Sequence, residues 1–198
     1  MNSKNLPWDV LLIGGAAGTG KTSVSYRLAH HFAAGITEVD DIHTVLMTLT
    51  SPEQQPELHY WDTKPASVEM TAEDILNLHI SVARAISPAL QAVIANHVET
   101  HTPIVLEGDY ILPELLVNPD VMKYANRIRA VFSYEPDKQQ LVNNFLAREP
   151  DEGEQVGRAH VSQLYGDWLQ NECSKYGLPA LSARPWENLF ERILATFM

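Results

Sequence analysis

A chain of 198 residues, 45% hydrophobic and 20% charged, has the size and make-up of one globular domain, taken as 1–198. Its 14 Lys and Arg against 25 Asp and Glu give a net charge of −11, which argues against a nucleic-acid partner, because a phosphate backbone needs a basic surface. A single cysteine, Cys173, allows no internal disulfide, the amino terminus lacks a signal-peptide pattern, and no apolar run approaches a membrane span. A cytoplasmic protein with no membrane partner is expected.

Val10 to Ile13 is a short apolar run suited to a strand buried on both faces. It leads into Gly15-Ala16-Ala17-Gly18-Thr19-Gly20-Lys21-Thr22-Ser23, where Gly15 through Thr22 fits G-x-x-x-x-G-K-[ST], the phosphate-binding loop. Glycine lets backbone N–H groups close around phosphate oxygens, and the following helix offers its positive end to the same charge. Lys21 would reach the β- and γ-phosphates and the Thr22 hydroxyl would ligate Mg²⁺, so a nucleotide with Mg²⁺ is the expected cofactor. A helix from Thr22 to Ala34 follows, with Val24, Leu28 and Phe32 near one face. His30 and His31 fall near its carboxyl end, where the helix dipole accounts for them.

Ile36 to Val39 reads as a second strand ending at Asp40 and Asp41. A carboxylate there can accept a hydroxyl proton or hold a metal-bound water, and one of the pair can cap a helix predicted over Ile42–Leu49. Asp40 is preferred for the chemistry. Thr50 to Pro65 reads as loop, and its His59-Tyr60-Trp61-Asp62 either walls a pocket or pins the loop to the core. Thr71 and Asp74 make a capping-box-like start to a long helix carrying Ile75, Leu78, Val82, Ile86, Leu90 and Val93 on one face. A break or kink is predicted at Ser87-Pro88.

"PIVLEGDY" is a third strand with Glu107 at its exit, facing the Mg²⁺ region, and with Asp109 as its competitor. "RIRAVFSY" is a fourth, and a helix fits between Pro136 and Ala147. Arg148 and Arg158 flank an acidic, glycine-bearing stretch. On a segment that closes over the nucleotide, such an arginine neutralises charge developing on the transferred phosphoryl group; as solvated partners of the intervening acids, both would do little. A helix from about Ala159 to Lys175, a strand near Leu178–Leu181 and a last helix within Trp186–Phe197 complete the chain. The histidines form no HExxH or Cys/His set, so zinc is not suggested. Strands alternating with helices argue for an α/β fold with a mainly parallel sheet, whose ligands bind at the strands' carboxyl ends. Gly15, Asp40 and Glu107 are therefore expected at one edge.

The stretches "LLIGGAAGTGKTSVSYRLA", "EVDDIHTVL", "PIVLEGDYILPELL" and "GLPALSARPWENLFERIL" resemble, in order and spacing, the P-loop kinases similar to 2-phosphoglycerate kinase. Shikimate and nucleoside-monophosphate kinases share that fold. The resemblance implies a P-loop NTPase domain with a five-stranded parallel sheet in the order 2-3-1-4-5, helices on both faces and a lid at about 148–160. It implies ATP with Mg²⁺ on Gly15 to Ser23, Asp40 near the acceptor hydroxyl with Asp41 beside it, and Glu107 in the metal shell. Arg148 and Arg158 would lie in the lid, and Arg184, between Ala183 and Pro185, near the adenine. Where that family reads T-D-x-I-R this chain has Val39-Asp40-Asp41-Ile42-His43, and where it reads E-G-V-H this chain has Glu107-Gly108-Asp109-Tyr110. His43 stands in place of an arginine, and the added acid Asp109 with the histidine lost at Tyr110 makes a doubly anionic acceptor less comfortable; Arg84 on the long helix either compensates or is an exposed helix residue. The expected function is ATP- and Mg-dependent phosphoryl transfer to a hydroxyl of a small molecule. Its rivals are an ATPase switch acting on a protein partner and a nucleotide-binding module without transfer.

Overall fold

The computed structural model describes residues 6–65 and 67–197. Five strands, β1 (Val10–Gly15), β2 (Gly35–Glu38), β3 (Ile104–Gly108), β4 (Ile128–Tyr134) and β5 (Ala180–Ser182), form one sheet in the order β2-β3-β1-β4-β5. Each neighbouring pair is parallel, which places every carboxyl end on the same edge. Parallel neighbours cannot be joined by tight turns. The connections carry the helices α1 (Lys21–Phe32), α2 (Val39–Leu49), α3 (Tyr60–Thr63), α4 (Ala72–Glu99), α5 (Pro119–Met122), α6 (Lys138–Arg148) and α7 (Val156–Tyr176), and α8 (Leu189–Ala195) follows β5.

The two-residue strand period decides which side chains meet which helices. Val10, Leu12, Ile104, Leu106, Ile128 and Phe132 join a core with Ile86, Leu90 and Ile94 of α4 and Leu169 and Cys173 of α7. Leu11, Ile13, Val105 and Val131 join Val24, Leu28 and Phe32 of α1 and Leu189 and Ile193 of α8 on the opposite face. Because both faces are covered, β1 and β3 are buried throughout, and that is why they read as unbroken apolar runs. A third, small core of Leu141, Val142, Phe145 and Ala159 packs against Ala17 and seats the α6–α7 corner on the phosphate-binding loop.

The capping box is formed: the Asp74 N–H donates to the Thr71 hydroxyl at 3.1 Å and the Thr71 N–H donates to the Asp74 carboxylate at 3.0 Å. Three expectations need correction. The helix predicted from Ile42 begins at Val39, so Asp40 and Asp41 lie in its first turn, where the helix dipole favours acids, and neither is the N-cap residue. Helix α4 continues through Ser87-Pro88 for 28 residues, so the chain does not break there, and Ile86 and Leu90 on either side are fully buried. That helix is also long and apolar enough, by length and composition, to cross a membrane, where no such run was expected; Ile86, Leu90 and Ile94 face the core.

Candidate active site

β1 ends in glycine for a steric reason. Gly15 has φ 144°, and a Cβ there would lie 2.3 Å from the Ser133 carbonyl oxygen of β4. Gly20, in the left-handed region at φ 76°, turns the chain into α1. The loop between them is held from outside. The Thr19 hydroxyl donates to the Ala16 carbonyl at 2.8 Å, Asn144 of α6 donates to the Gly18 carbonyl at 2.8 Å, and Ser162 of α7 donates to the Ala17 carbonyl at 2.6 Å. With these carbonyls bonded to side chains, the orphan N–H groups of the first turn of α1 remain for an anion. Lys21 is almost fully buried; its ammonium donates to the Ala16 carbonyl at 3.0 Å and pairs with Asp109.

Beside the lysine, the Thr22 hydroxyl donates to Glu107 Oε1 at 2.9 Å, while the buried Glu107 Oε2 has no hydrogen-bond partner. Burial pushes the Glu107 carboxyl above its usual range, against the pull of the Lys21 charge and the Thr22 hydrogen bond. An orphaned carboxylate oxygen beside a hydroxyl and a phosphate loop fits Mg²⁺, which takes one or two protein oxygens and completes its shell with phosphates and waters. Among the described residues no group of three or more His, Cys, Asp or Glu is placed to hold a metal alone.

These groups open on a cavity of about 710 Å³ whose wall includes Lys21, Thr22, Asp40, Glu107, Arg148 and Trp186. A second cavity of about 240 Å³ adjoins it, walled by His79, Tyr110, Ser162 and Tyr165 among others. Ala17, Asp40, Asp109 and Arg158 line both. Asp40 is open to this shared space yet crowded by protein behind, and burial together with the charge of Asp109 pushes its carboxyl up. The Asp109 carbonyl accepts from the Tyr165 hydroxyl at 2.5 Å and from His79 Nε2 at 3.3 Å, which fixes the turn after β3. Burial depresses the His79 imidazole and holds it neutral, and burial with the charges of Asp40 and Asp109 pushes the Tyr110 phenol up to about 12. His79 stacks on Tyr110 at 4.7 Å and meets Tyr165 edge-on at 4.6 Å, so the second cavity has an aromatic wall.

The remaining sequence candidates divide sharply. Gly15 and Thr19 shape the loop from behind, and Ala17, Gly18, Gly20 and Ser23 line the larger cavity. Arg148 and Arg158 also line it, and both pair with one acid, Glu149, at 2.7 and 2.6 Å. A hydrogen bond from Gln155 and these arginines lower that carboxyl to about 2. Asp41 is exposed and lies on neither wall, because the first turn of α2 aims Asp40 inward and its neighbour away. His43 sits behind Tyr110, ring centroids 5.1 Å apart, instead of lining a cavity. Arg84 is turned to Glu114 on the outer surface, at 2.8 Å, and lines neither cavity. Arg184 is drawn off by the buried Glu135, to which it donates twice at 2.7 Å, and Trp186 lines the cavity in its place. In the 59–62 stretch the aromatic pair does not pin the loop, since Trp61 is exposed; His59 is buried and bonds Thr50 at 3.1 Å, and the segment walls neither cavity.

Sequence reasoning missed Asn144, Ser162, His79, Tyr110, Tyr165 and Trp186. His79 carried a usable signal, a polar ring one position from Leu78 and Ile80 near the apolar face of α4. Asn144 and Ser162 carried none, since their partners lie 126 and 145 residues away.

A gluconokinase from Sinorhizobium meliloti shares this architecture, with a TM-score of 0.55 over 96% of this chain and 90% of its own at 14% identity. The chain has the P-loop kinase fold. In sequence it resembles the 2-phosphoglycerate kinase of Pyrococcus horikoshii, 28% identical over 96% of this chain and 64% of that protein. It also resembles the 2-phosphoglycerate kinase of Methanopyrus kandleri, 21% identical over 94% of this chain and 59% of that protein. The chain thus spans less than two thirds of the length of these curated relatives, at 64% and 59%. No family model matches it.

Proposed function

We propose that this chain transfers the γ-phosphoryl group of ATP to a hydroxyl of a small molecule. The observation that carries the reading is the junction of the two cavities. A phosphate-binding cavity opens on a smaller one at Asp40, so a donor phosphate and an acceptor hydroxyl can meet beside a carboxylate. Likeness to 2-phosphoglycerate kinases supports it, and a switch or a silent binding module has no use for the second cavity.

In this reading the loop, the first turn of α1 and Lys21 hold the ATP phosphates, and Asp109 gives up the lysine when they arrive. Thr22 and Glu107 would hold Mg²⁺, which neutralises phosphate charge when bound. The acceptor oxygen attacks the γ-phosphorus, the bond to the oxygen bridging the β- and γ-phosphates breaks, and ADP leaves. Asp40 takes the hydroxyl proton, and its raised pKa makes it a better base than an ordinary aspartate. Arg148 and Arg158 exchange Glu149 for the phosphoryl group as charge develops. Most of the acceleration comes from positioning and fixed charge. The protein would work in the cytoplasm, where its one buried thiol needs no partner.

Asp40→Asn tests the assignment. ATP affinity, measured by calorimetry, is expected to stay within about threefold, while acceptor phosphorylation falls by about 10²- to 10⁴-fold. A variant that phosphorylates at the parent rate would end Asp40's role.

A further inference from the structure

The second cavity also restricts what the acceptor can be, and the argument rests on the kinase reading above. Its wall carries two carboxylates, Asp40 and Asp109, and one cation, Arg158, whose guanidinium is engaged by Glu149 at 2.6 Å. Lys21, outside that wall, is paired with Asp109. Once ATP phosphates take Lys21, Asp109 faces the cavity unpaired. Arg84, the sequence's candidate to balance these acids, is held by Glu114 on the outer surface.

The polar groups of the wall point to the same conclusion. Carboxylates only accept hydrogen bonds. The Ser162 hydroxyl spends its proton on the Ala17 carbonyl, and Tyr165 spends its proton on the Asp109 carbonyl, which leaves both oxygens as acceptors. His79 donates through Nε2 to that same carbonyl, and being neutral keeps a lone pair on Nδ1. Apart from the Tyr110 phenol, which keeps its proton, and the Arg158 guanidinium, the wall presents acceptors, and it matches a ligand rich in donors. The faces of Tyr110 and Tyr165 suit the C–H surface of a compact polyol or ring. At about 240 Å³ the space is smaller than sites for drug-sized ligands, so the ligand is small.

We infer that the acceptor is a small polyhydroxylated molecule bearing neither phosphate nor carboxylate, with an amine on it tolerated or preferred. This separates the chain from its relatives named for 2-phosphoglycerate, an acceptor with two anionic groups.

The test measures phosphorylated acceptor formed from Mg-ATP by the full chain, using matched pairs: sugar and sugar phosphate, sugar and sugar acid, nucleoside and nucleotide, with amino sugars alongside. The uncharged or amine-bearing members should have kcat/KM at least about tenfold above their anionic partners, and Asp109→Asn should narrow the gap by about tenfold. A wild-type preference for the anionic member overturns this inference and leaves the kinase reading standing. No phosphorylated acceptor in any pair, with ATP still bound, overturns both. An undiminished gap in a folded Asp109→Asn protein counts against the charge argument.

Discussion

Glu107 and Glu135 flank the phosphate-binding loop from the ends of β3 and β4, the two strands on either side of β1. Both are nearly hidden from solvent, at 3% and 1% exposure, yet they are chemically unlike. Both oxygens of Glu135 are bonded by Arg184, and one also accepts the Asp137 N–H at 2.9 Å. Glu107 has one oxygen on Thr22 and one with no partner. A buried charge with every bond filled is a strut joining β4 to the segment after β5. A buried charge with a bond left open is suited to a cation from outside.

The two acids separate most visibly in activity. Glu107→Gln keeps the shape and removes the charge, so phosphoryl transfer should fall by about a hundredfold or more in steady-state assays with Mg-ATP. Glu135→Gln should leave kcat within about threefold at a temperature where it is folded. Its larger effect is on stability, which should drop by about 2 kcal/mol in urea unfolding, since the half-exposed Arg184 loses its buried partner. Glu107→Gln should be neutral or stabilising in the same experiment, as the parent carboxyl is held above its normal range by burial.

The smallest effect is the pH profile of nucleotide-free stability. A carboxyl with a raised folded pKa adds stability that is complete below the ordinary carboxylate pKa and is lost as pH rises through the folded value. Glu107 and Asp40 both fall in this class. Above the ordinary carboxylate range Glu107 and Asp40 draw stability down as pH rises, while the depressed imidazoles of His43 and His79 act the other way. The readout is therefore the difference: Glu107→Gln should lose less stability than the parent over that span in thermal unfolding. Identical profiles for parent and variant would remove the linkage.

The donor half was legible because its instructions are local. The strand beginning at Val10 leads straight into the glycines, Lys21 and Thr22, and the motif itself fits in the eight residues from Gly15 to Thr22. Glu107 and Asp40 could be placed because strand ends converge on one edge of a parallel sheet. The acceptor wall could not, since His79, Tyr110 and Tyr165 come from α4, the turn after β3 and α7, and meet only through packing. Helix α7 hides its inward face further, by burying Ala159, Ser162, Tyr165 and Gly166 where a longer apolar stripe would have announced it. Arg84 and Arg184 show the matching limit. Their partners lie 30 and 49 residues away, so a cation held for structure looks the same in sequence as one free for a ligand.

Glu107 is the open acid and Glu135 the filled one. Calorimetric titration of ATP with Mg²⁺ and with EDTA, into the parent, Glu107→Gln and Glu135→Gln, addresses that difference most directly. The account predicts that Mg²⁺ tightens ATP binding in the parent and in Glu135→Gln, and that this gain is lost in Glu107→Gln. An equal gain from Mg²⁺ in Glu107→Gln would contradict it.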